Sequence, residues 1–266
     1  MFRTTLFATL LLPAVAQAQS ASPTGDLLPR LDDDRWSIGV AVAARQSPYA
    51  GEGTRVRPLP LVTYEGDRIF WRGVSGGVHL FRGDSVTVDA VVAGRFDGFK
   101  IKDLGRRELL ANGIDAARLE DRDDGLDVGL AASVRGRAGE FKLSALADVT
   151  DASGGYEIAA EYARAFKWGR TTLIPGAGVR WMSADLVRYY YGTLDEEVAR
   201  GVARYAPGSA VVPQVSIAFS RPLGEKWKLL GGLDYKFLPS RITDSPLSEP
   251  DSDGSAGLRI GITRSF

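Results

Sequence analysis

The chain has 266 residues, with 33 Lys and Arg against 33 Asp and Glu, one His and no Cys. Balanced charge removes the electrostatic case for nucleic acid, because phosphate binding needs a basic surplus. Without Cys there are no disulfides, thiolate nucleophiles or Cys-ligated metals, and one His excludes His-rich metal sites, so no cofactor or metal is implied.

Met1-Phe2-Arg3 is a short basic segment, Leu6 to Val15 an apolar run and Ala16-Gln17-Ala18 an A-x-A cleavage site. Together they read as a secretory signal peptide over residues 1–18. The apolar run is too brief to cross a bilayer as a helix, which needs ~20 residues. Residues 19–33 form a polar, Pro-containing leader expected to be flexible.

From Arg35 onward apolar residues recur at every second position. Trp36, Ile38, Val40 and Val42 are spaced this way, as are Leu126, Val128, Leu130, Ala132 and Val134. Trp227, Leu229, Leu233 and Phe237, then Leu258, Ile260 and Ile262, repeat the pattern. Alternate side chains in a strand point to opposite faces, so one face is apolar and the other small, polar or charged. Twelve strands are predicted, near 35–45, 55–65, 67–73, 76–82, 85–98, 125–137, 140–150, 155–166, 170–183, 210–221, 226–238 and 255–266. Several reach the ten or so residues that a tilted strand needs to cross a bilayer.

The connections sort by parity. Tight turns stand at Glu65-Gly66-Asp67, Arg82-Gly83-Asp84, Arg137-Ala138-Gly139-Glu140, Lys167-Trp168-Gly169-Arg170 and Pro222-Leu223-Gly224-Glu225. Every long connection (46–54, 99–124, 184–209, 239–254) falls at the other end. Short turns on one rim and long loops on the other define an all-β transmembrane antiparallel barrel, with turns periplasmic and loops extracellular. Hydrocarbon offers no hydrogen-bond partners, so a sheet spans it only when closed. The barrel is assigned to residues 34–266 of the cell outer membrane.

Aromatic residues Trp36, Tyr64, Trp71, Phe96, Tyr156, Tyr162, Trp181 and Trp227 lie towards strand ends, as interfacial girdles require. The inward face is expected to carry Asp89, Arg95, Asp127, Arg135, Lys142, Asp148, Glu157, Glu161, Arg180, Lys228, Asp234 and Lys236, pairing across a plugged lumen. Phe266 ends the last strand in phase with Leu258, Ile260 and Ile262, and resembles the terminal residue read by the barrel-assembly machinery.

Several places along the chain have chemical potential. His79 is the one imidazole, and with a Ser and an acid it could serve a hydrolase. No G-x-S-x-G elbow accompanies it, so a structural or lumen-facing role is expected and no catalytic residue is assigned. Asp121-Arg122-Asp123-Asp124-Gly125 and Asp251-Ser252-Asp253-Gly254 resemble fragments of calcium loops but lack the twelve-residue spacing, and read as acidic solvated loops. Loop 184–209 holds the candidate binding residues Tyr189, Tyr190, Tyr191, Arg200 and Tyr205, with a short helix predicted from Asp195 to Arg204 and Glu196 at i,i+4 from Arg200. These tyrosines either present an aromatic surface to a partner or pack into the mouth as a plug, and the loop's length favours the plug. Loop 99–124, with Arg106, Arg107, Arg118 and Arg122 among acids, fits plugging or lipopolysaccharide contact equally.

Several segments follow one another in a telling order. Ser47-Pro48-Tyr49-Ala50-Gly51 precedes Pro58-Leu59-Pro60, Tyr64-Glu65-Gly66-Asp67 and Phe70-Trp71-Arg72-Gly73. Leu119-Glu120-Asp121-Arg122, Leu173-Ile174-Pro175-Gly176, Tyr189-Tyr190-Tyr191-Gly192 and Thr243-Asp244-Ser245-Pro246-Leu247 come after. This series resembles the MltA-interacting protein (MipA/OmpV) family over residues 34–266. The chain departs from the family pattern at Thr193, in a shortened acidic loop after Leu247, and at Arg264. The resemblance implies an outer-membrane barrel with a scaffolding role, linking a murein hydrolase (a lytic transglycosylase) to a murein synthase. It also implies contact with outer-membrane lipids and lipopolysaccharide. Relatives are similar to osmoregulated porins or adhesins, so a narrow channel for small solutes and an adhesin-like surface protein remain the alternatives.

Overall fold

The computed structural model describes residues 35–266. The expected signal peptide and leader, residues 1–33, lie outside the described residues.

Thirteen strand segments follow in chain order. They are β1 (Trp36–Gln46), β2 (Thr54–Glu65), β3 (Ile69–Arg72), β4 (Ser75–Arg82), β5 (Val86–Arg95), β6 (Gly125–Gly136) and β7 (Gly139–Asp148). Then come β8 (Tyr156–Ala163), β9 (Phe166–Trp168), β10 (Thr171–Met182), β11 (Ala210–Pro222), β12 (Trp227–Phe237) and β13 (Gly254–Ser265). Four short helices lie in the connections: α1 (Arg106–Ala111), α2 (Ala184–Tyr191), α3 (Asp195–Ala199) and α4 (Ser240–Thr243).

Each segment pairs antiparallel with its neighbours, and β1 joins β13 from Ser37↔Ser265 to Arg45↔Gly257. β8 and β9 keep one register on β10, through Gly176↔Ala163 and Leu173↔Phe166. They are one strand interrupted at Arg164 and Ala165, so the wall is a closed twelve-stranded barrel. Closure leaves the sheet without a first or last edge.

The alternation sets the solvent of each face. Val40, Leu130, Leu233 and Ile260 point outward and are 64%, 54%, 55% and 51% exposed. Their in-between neighbours Ala41, Ala131 and Arg259 face the lumen. An apolar belt this extensive is at ease against lipid tails and ill-suited to water.

The long connections share one rim with the β3–β4 and β7–β8 turns, and the tight turns share the other, as the parity predicts. Three local expectations change. β5 stops at Arg95 rather than 98, because the Gly98 N–H is taken by the Asp124 carboxylate and Phe99 resumes only a single bridge to Arg122. Phe96 is buried, its ring folded over Gly94, and so lies outside the exposed aromatic girdle. The helix expected over 195–204 ends at Ala199, where Gly201 turns the chain at φ +89°.

Candidate functional site

The extracellular connections do not hang free. Residues 47–53, 96–124, 183–209 and 238–253 fold inward over the mouth and bury one apolar cluster. Tyr49, Leu109, Ile114, Leu186, Tyr190, Ile242 and Leu247 within it are 2% exposed or less.

Local signals build each piece. Ser183 caps α2 by accepting the Leu186 N–H at 3.3 Å, and Asp185 lies in its first turn, where the helix dipole favours an acid. Leu186, Val187, Tyr190 and Tyr191 then share the buried face. Gly51 has φ +66°, and a Cβ there would lie 2.4 Å from the Gly105 Cα, so only glycine lets loop 47–53 meet loop 96–124. Backbone bonds stitch the loops together: Gly105 N–H to Ala50 O, and Ala50 N–H to Leu247 O, both at 2.9 Å. Asn112 Nδ2 donates to the Pro246 and Ser248 carbonyls at 3.0 and 2.9 Å.

At the centre is a buried ion pair. Arg122 Nη1 and Nη2 donate to Glu197 Oε1 and Oε2 at 2.8 and 2.9 Å, and both side chains are fully buried. The remaining guanidinium donors reach Tyr189 O at 2.7 Å, Glu120 O at 2.7 Å and Gly192 O at 3.2 Å. Glu197 also accepts the Glu120 and Leu194 N–H groups, each at 2.8 Å. Burial pushes the Glu197 carboxyl upward, but Arg122 and the two N–H groups outweigh it and hold it below its ordinary value. This pair fastens loop 96–124 to loop 183–209.

A pH dependence follows. The Glu197 value is lowered in the folded chain, so its stabilisation is complete above the ordinary glutamate value near ~4.3 and fades as pH falls through the lowered one. The cap should resist protease at neutral pH and at pH 5, and loosen only in stronger acid. Loop cleavage already rising between pH 7 and 5 would show that another group holds it.

The candidate residues of loop 183–209 take different places. Tyr190 and Tyr191 are buried in the cap, where burial raises both phenols. Tyr191 stacks on Tyr49 at 5.6 Å, and the Tyr189 hydroxyl oxygen accepts the Asp123 N–H at 2.9 Å. Arg200 is exposed and pairs with Glu120 at 2.8 Å, so the i,i+4 partner expected in Glu196 is replaced by one from the neighbouring loop. Tyr205 is half-buried and donates to Arg241 O at 3.2 Å. The Arg122–Glu197 pair was hidden in the sequence, since 75 residues separate its members.

Below the cap the lumen is charged. Arg95 bonds Asp127 and lies 2.9 Å from Glu157 and 3.2 Å from Asp97. Arg45 pairs with Asp234 at 2.8 Å and Gln214 Nε2 donates to Glu161 at 2.8 Å. Arg135, expected to face inward, is exposed at the periplasmic end of β6, where it pairs with Glu140. His79 Nδ1 lies 2.6 Å from Asp89 and Nε2 3.3 Å from Glu65, so both imidazole nitrogens face carboxylates. At the opposite rim Phe266 is exposed and its N–H donates to Trp36 O at 3.1 Å. Arg264, the unusual residue near the terminus, lies 5.0 Å from the Phe266 ring, a cation–π distance.

A closed barrel with an apolar exterior, a charged lumen and loops sorted to one rim is a protein of the outer membrane. The chain belongs to the MltA-interacting protein MipA family, whose sequence model matches residues 38–266. It is 29% identical over 237 residues to the MltA-interacting protein of Escherichia coli K12, covering 88% of this chain and 91% of that one. It is 32% identical over 215 residues to the putative outer membrane protein YiaT of the same organism, covering 79% and 83%. Among solved structures, an outer membrane channel from Pseudomonas putida F1 aligns with TM-score 0.42 at 12% identity, covering 89% of this chain and 97% of that one.

Proposed function

We propose that this chain is a structural protein of the outer membrane without catalytic activity, which docks cell-wall enzymes, a murein hydrolase and a murein synthase, on its periplasmic rim. The closed extracellular mouth carries this reading. A diffusion channel needs an open path, whereas here four connections pack a buried apolar cluster over the lumen and fasten it with a buried ion pair. Kinship with a protein named for its interaction with MltA supports the same reading. In this scheme Tyr190 and Tyr191 hold the cap, while Arg200 and Tyr205 face lipopolysaccharide or a surface partner. Phe266 is the residue offered to the barrel-assembly machinery.

In planar bilayers the purified protein should show no steady open conductance at neutral pH. A stable, open current would favour a narrow solute channel instead. Murein hydrolase and synthase should co-purify with the native chain and be lost when the turns at 66–68, 83–85, 137–138, 169–170 and 223–226 are replaced. Retention of both enzymes by the replaced-turn variant would overturn docking at that rim.

A further inference from the structure

The wall does not end level at the periplasmic rim. β8 pairs with β7 as far as Glu140↔Ala163, and there β7 has reached its start, with Arg137 and Ala138 turning the chain back to β6. The other hairpin runs on. β9 pairs with β10 at Leu173↔Phe166, Thr172↔Lys167 and Thr171↔Trp168, and β10 is its one neighbour in the sheet. Residues 165–168 therefore project past the β6–β7 turn, ~13 Å of strand at ~3.3 Å per residue. Every residue from Arg164 to Arg170 is exposed.

The phase of the ladder shows which backbone groups are open. Arg164 donates its N–H to Pro175 O at 3.1 Å, and Tyr156 O accepts the Ser183 N–H at 2.9 Å, so even-numbered residues turn their backbone to β10. Gly155 O accepts the Asp148 N–H at 2.9 Å, so odd-numbered residues turn theirs to β7. Ala165 and Lys167 keep this phase where β7 is no longer beside them. Their N–H and C=O groups face a side on which the sheet has no strand. Hydrocarbon would forbid such an edge. The charged, exposed residues around it place it in water, which satisfies it and leaves it open to another strand.

The surroundings of the edge carry one sign of charge. Arg164, Lys167 and Arg170 lie on the hairpin, and Arg137 lies on the neighbouring turn. Tyr162 donates its hydroxyl to Ala138 O and so holds that turn against the hairpin. The acid nearby, Glu140, is already paired with Arg135 at 2.6 Å. Arg137, Lys167 and Arg170 make no ion pair among the described residues. Like charge keeps the same edge of a second copy away. An acidic strand meets attraction in place of that repulsion.

We propose that the edge at Ala165 and Lys167 takes up an extended acidic segment of a periplasmic protein by strand addition. Backbone bonds at 165 and 167 hold the segment, and the cations at 137, 164, 167 and 170 select it. The identity of that protein as a cell-wall enzyme rests on docking at the periplasmic rim; the edge and its preference for acid do not.

The probe is a short fluorescein-labelled peptide that alternates valine with glutamate, titrated with the full chain in nonionic detergent and read by anisotropy. It should bind, and a counterpart with lysine in place of glutamate should bind at least about tenfold more weakly. Two further acidic peptides carry N-methyl groups on alternate residues, one in each phase. An added strand uses one row of its N–H groups, so one phase should lose about tenfold in affinity and the other should match the parent. Ala165→Pro removes a donor from the open edge without changing charge, and should weaken the parent peptide by a similar factor while heat-modifiable gel migration stays native. Equal binding of the parent and both N-methylated peptides would mark a general site for polyanions and overturn strand addition, as would failure of the acidic peptide to bind. Murein enzymes that co-purify equally with the native chain and with Ala165→Pro would leave docking in place and overturn this edge as its seat. A native chain that binds the acidic peptide in the expected phase but retrieves no murein enzyme would uphold the edge and remove the docking reading.

Discussion

Glu197→Ala should open the extracellular cap while the barrel wall stays closed. The substitution leaves the Arg122 guanidinium buried without its counter-charge and strips the Glu120 and Leu194 N–H groups of their acceptor. Removing one partner of a buried pair typically costs ~3–5 kcal/mol, because the other charge stays desolvated. That is of the order of a loop's whole stability, so the neighbouring loops should part rather than keep a bare cation inside. Protease should then cut within 96–124 and 183–209, and the silent protein should begin to conduct in planar bilayers. Heat-modifiable migration should not change, since the wall ladders do not involve Glu197. The double substitution Arg122→Met with Glu197→Leu should restore protection, because apolar residues of similar volume often replace a buried pair at no cost. If Glu197→Ala leaves the loops protected, the apolar cluster alone seals the mouth.

The wall was legible because a single period governs it. Leu126 through Val134 alternate without a break, and the strand found there spans Gly125–Gly136 against 125–137 from the pattern alone. Parity of loop length then gave the handling of the two rims. The cap was legible only as an inventory. Ser47–Gly51, Leu119–Arg122, Tyr189–Gly192 and Thr243–Leu247 stood out as segments, yet nothing in their spacing brings them together. They meet because barrel closure carries four distant connections to one rim, where apolar residues too few to form a core in any one loop can form a shared one. Helix α2 was missed for a related reason. Its buried face is Leu186, Val187, Tyr190 and Tyr191, and eight residues are too short for a convincing helical period. Ser183 followed by Asp185 was the local sign that could have located its start.

The whole architecture rests on the outward side chains meeting lipid, and Leu130→Arg tests that point with a sign that depends on the solvent. Leu130 lies mid-way along β6, opposite Ala90 on β5 and Ala145 on β7, and is 54% exposed. On the surface of a water-soluble sheet an exposed leucine replaced by arginine changes stability within ~0.5 kcal/mol, with no preference against the charge. In hydrocarbon the guanidinium must be desolvated or must drag water and headgroups inward, at a cost of ~2–4 kcal/mol near the bilayer midplane. Trp168→Arg, in the periplasmic hairpin where the native side chain is 74% exposed, should cost only ~0–1 kcal/mol, because the head can reach the interface. Urea unfolding in phospholipid vesicles, followed by tryptophan fluorescence for Leu130→Arg, reads the difference; gel-shift of the folded fraction reads it for both variants. The midplane variant should unfold at clearly lower urea than the native chain, with the hairpin variant close to native. Equal midpoints for Leu130→Arg and the native chain would mean that the belt does not face hydrocarbon.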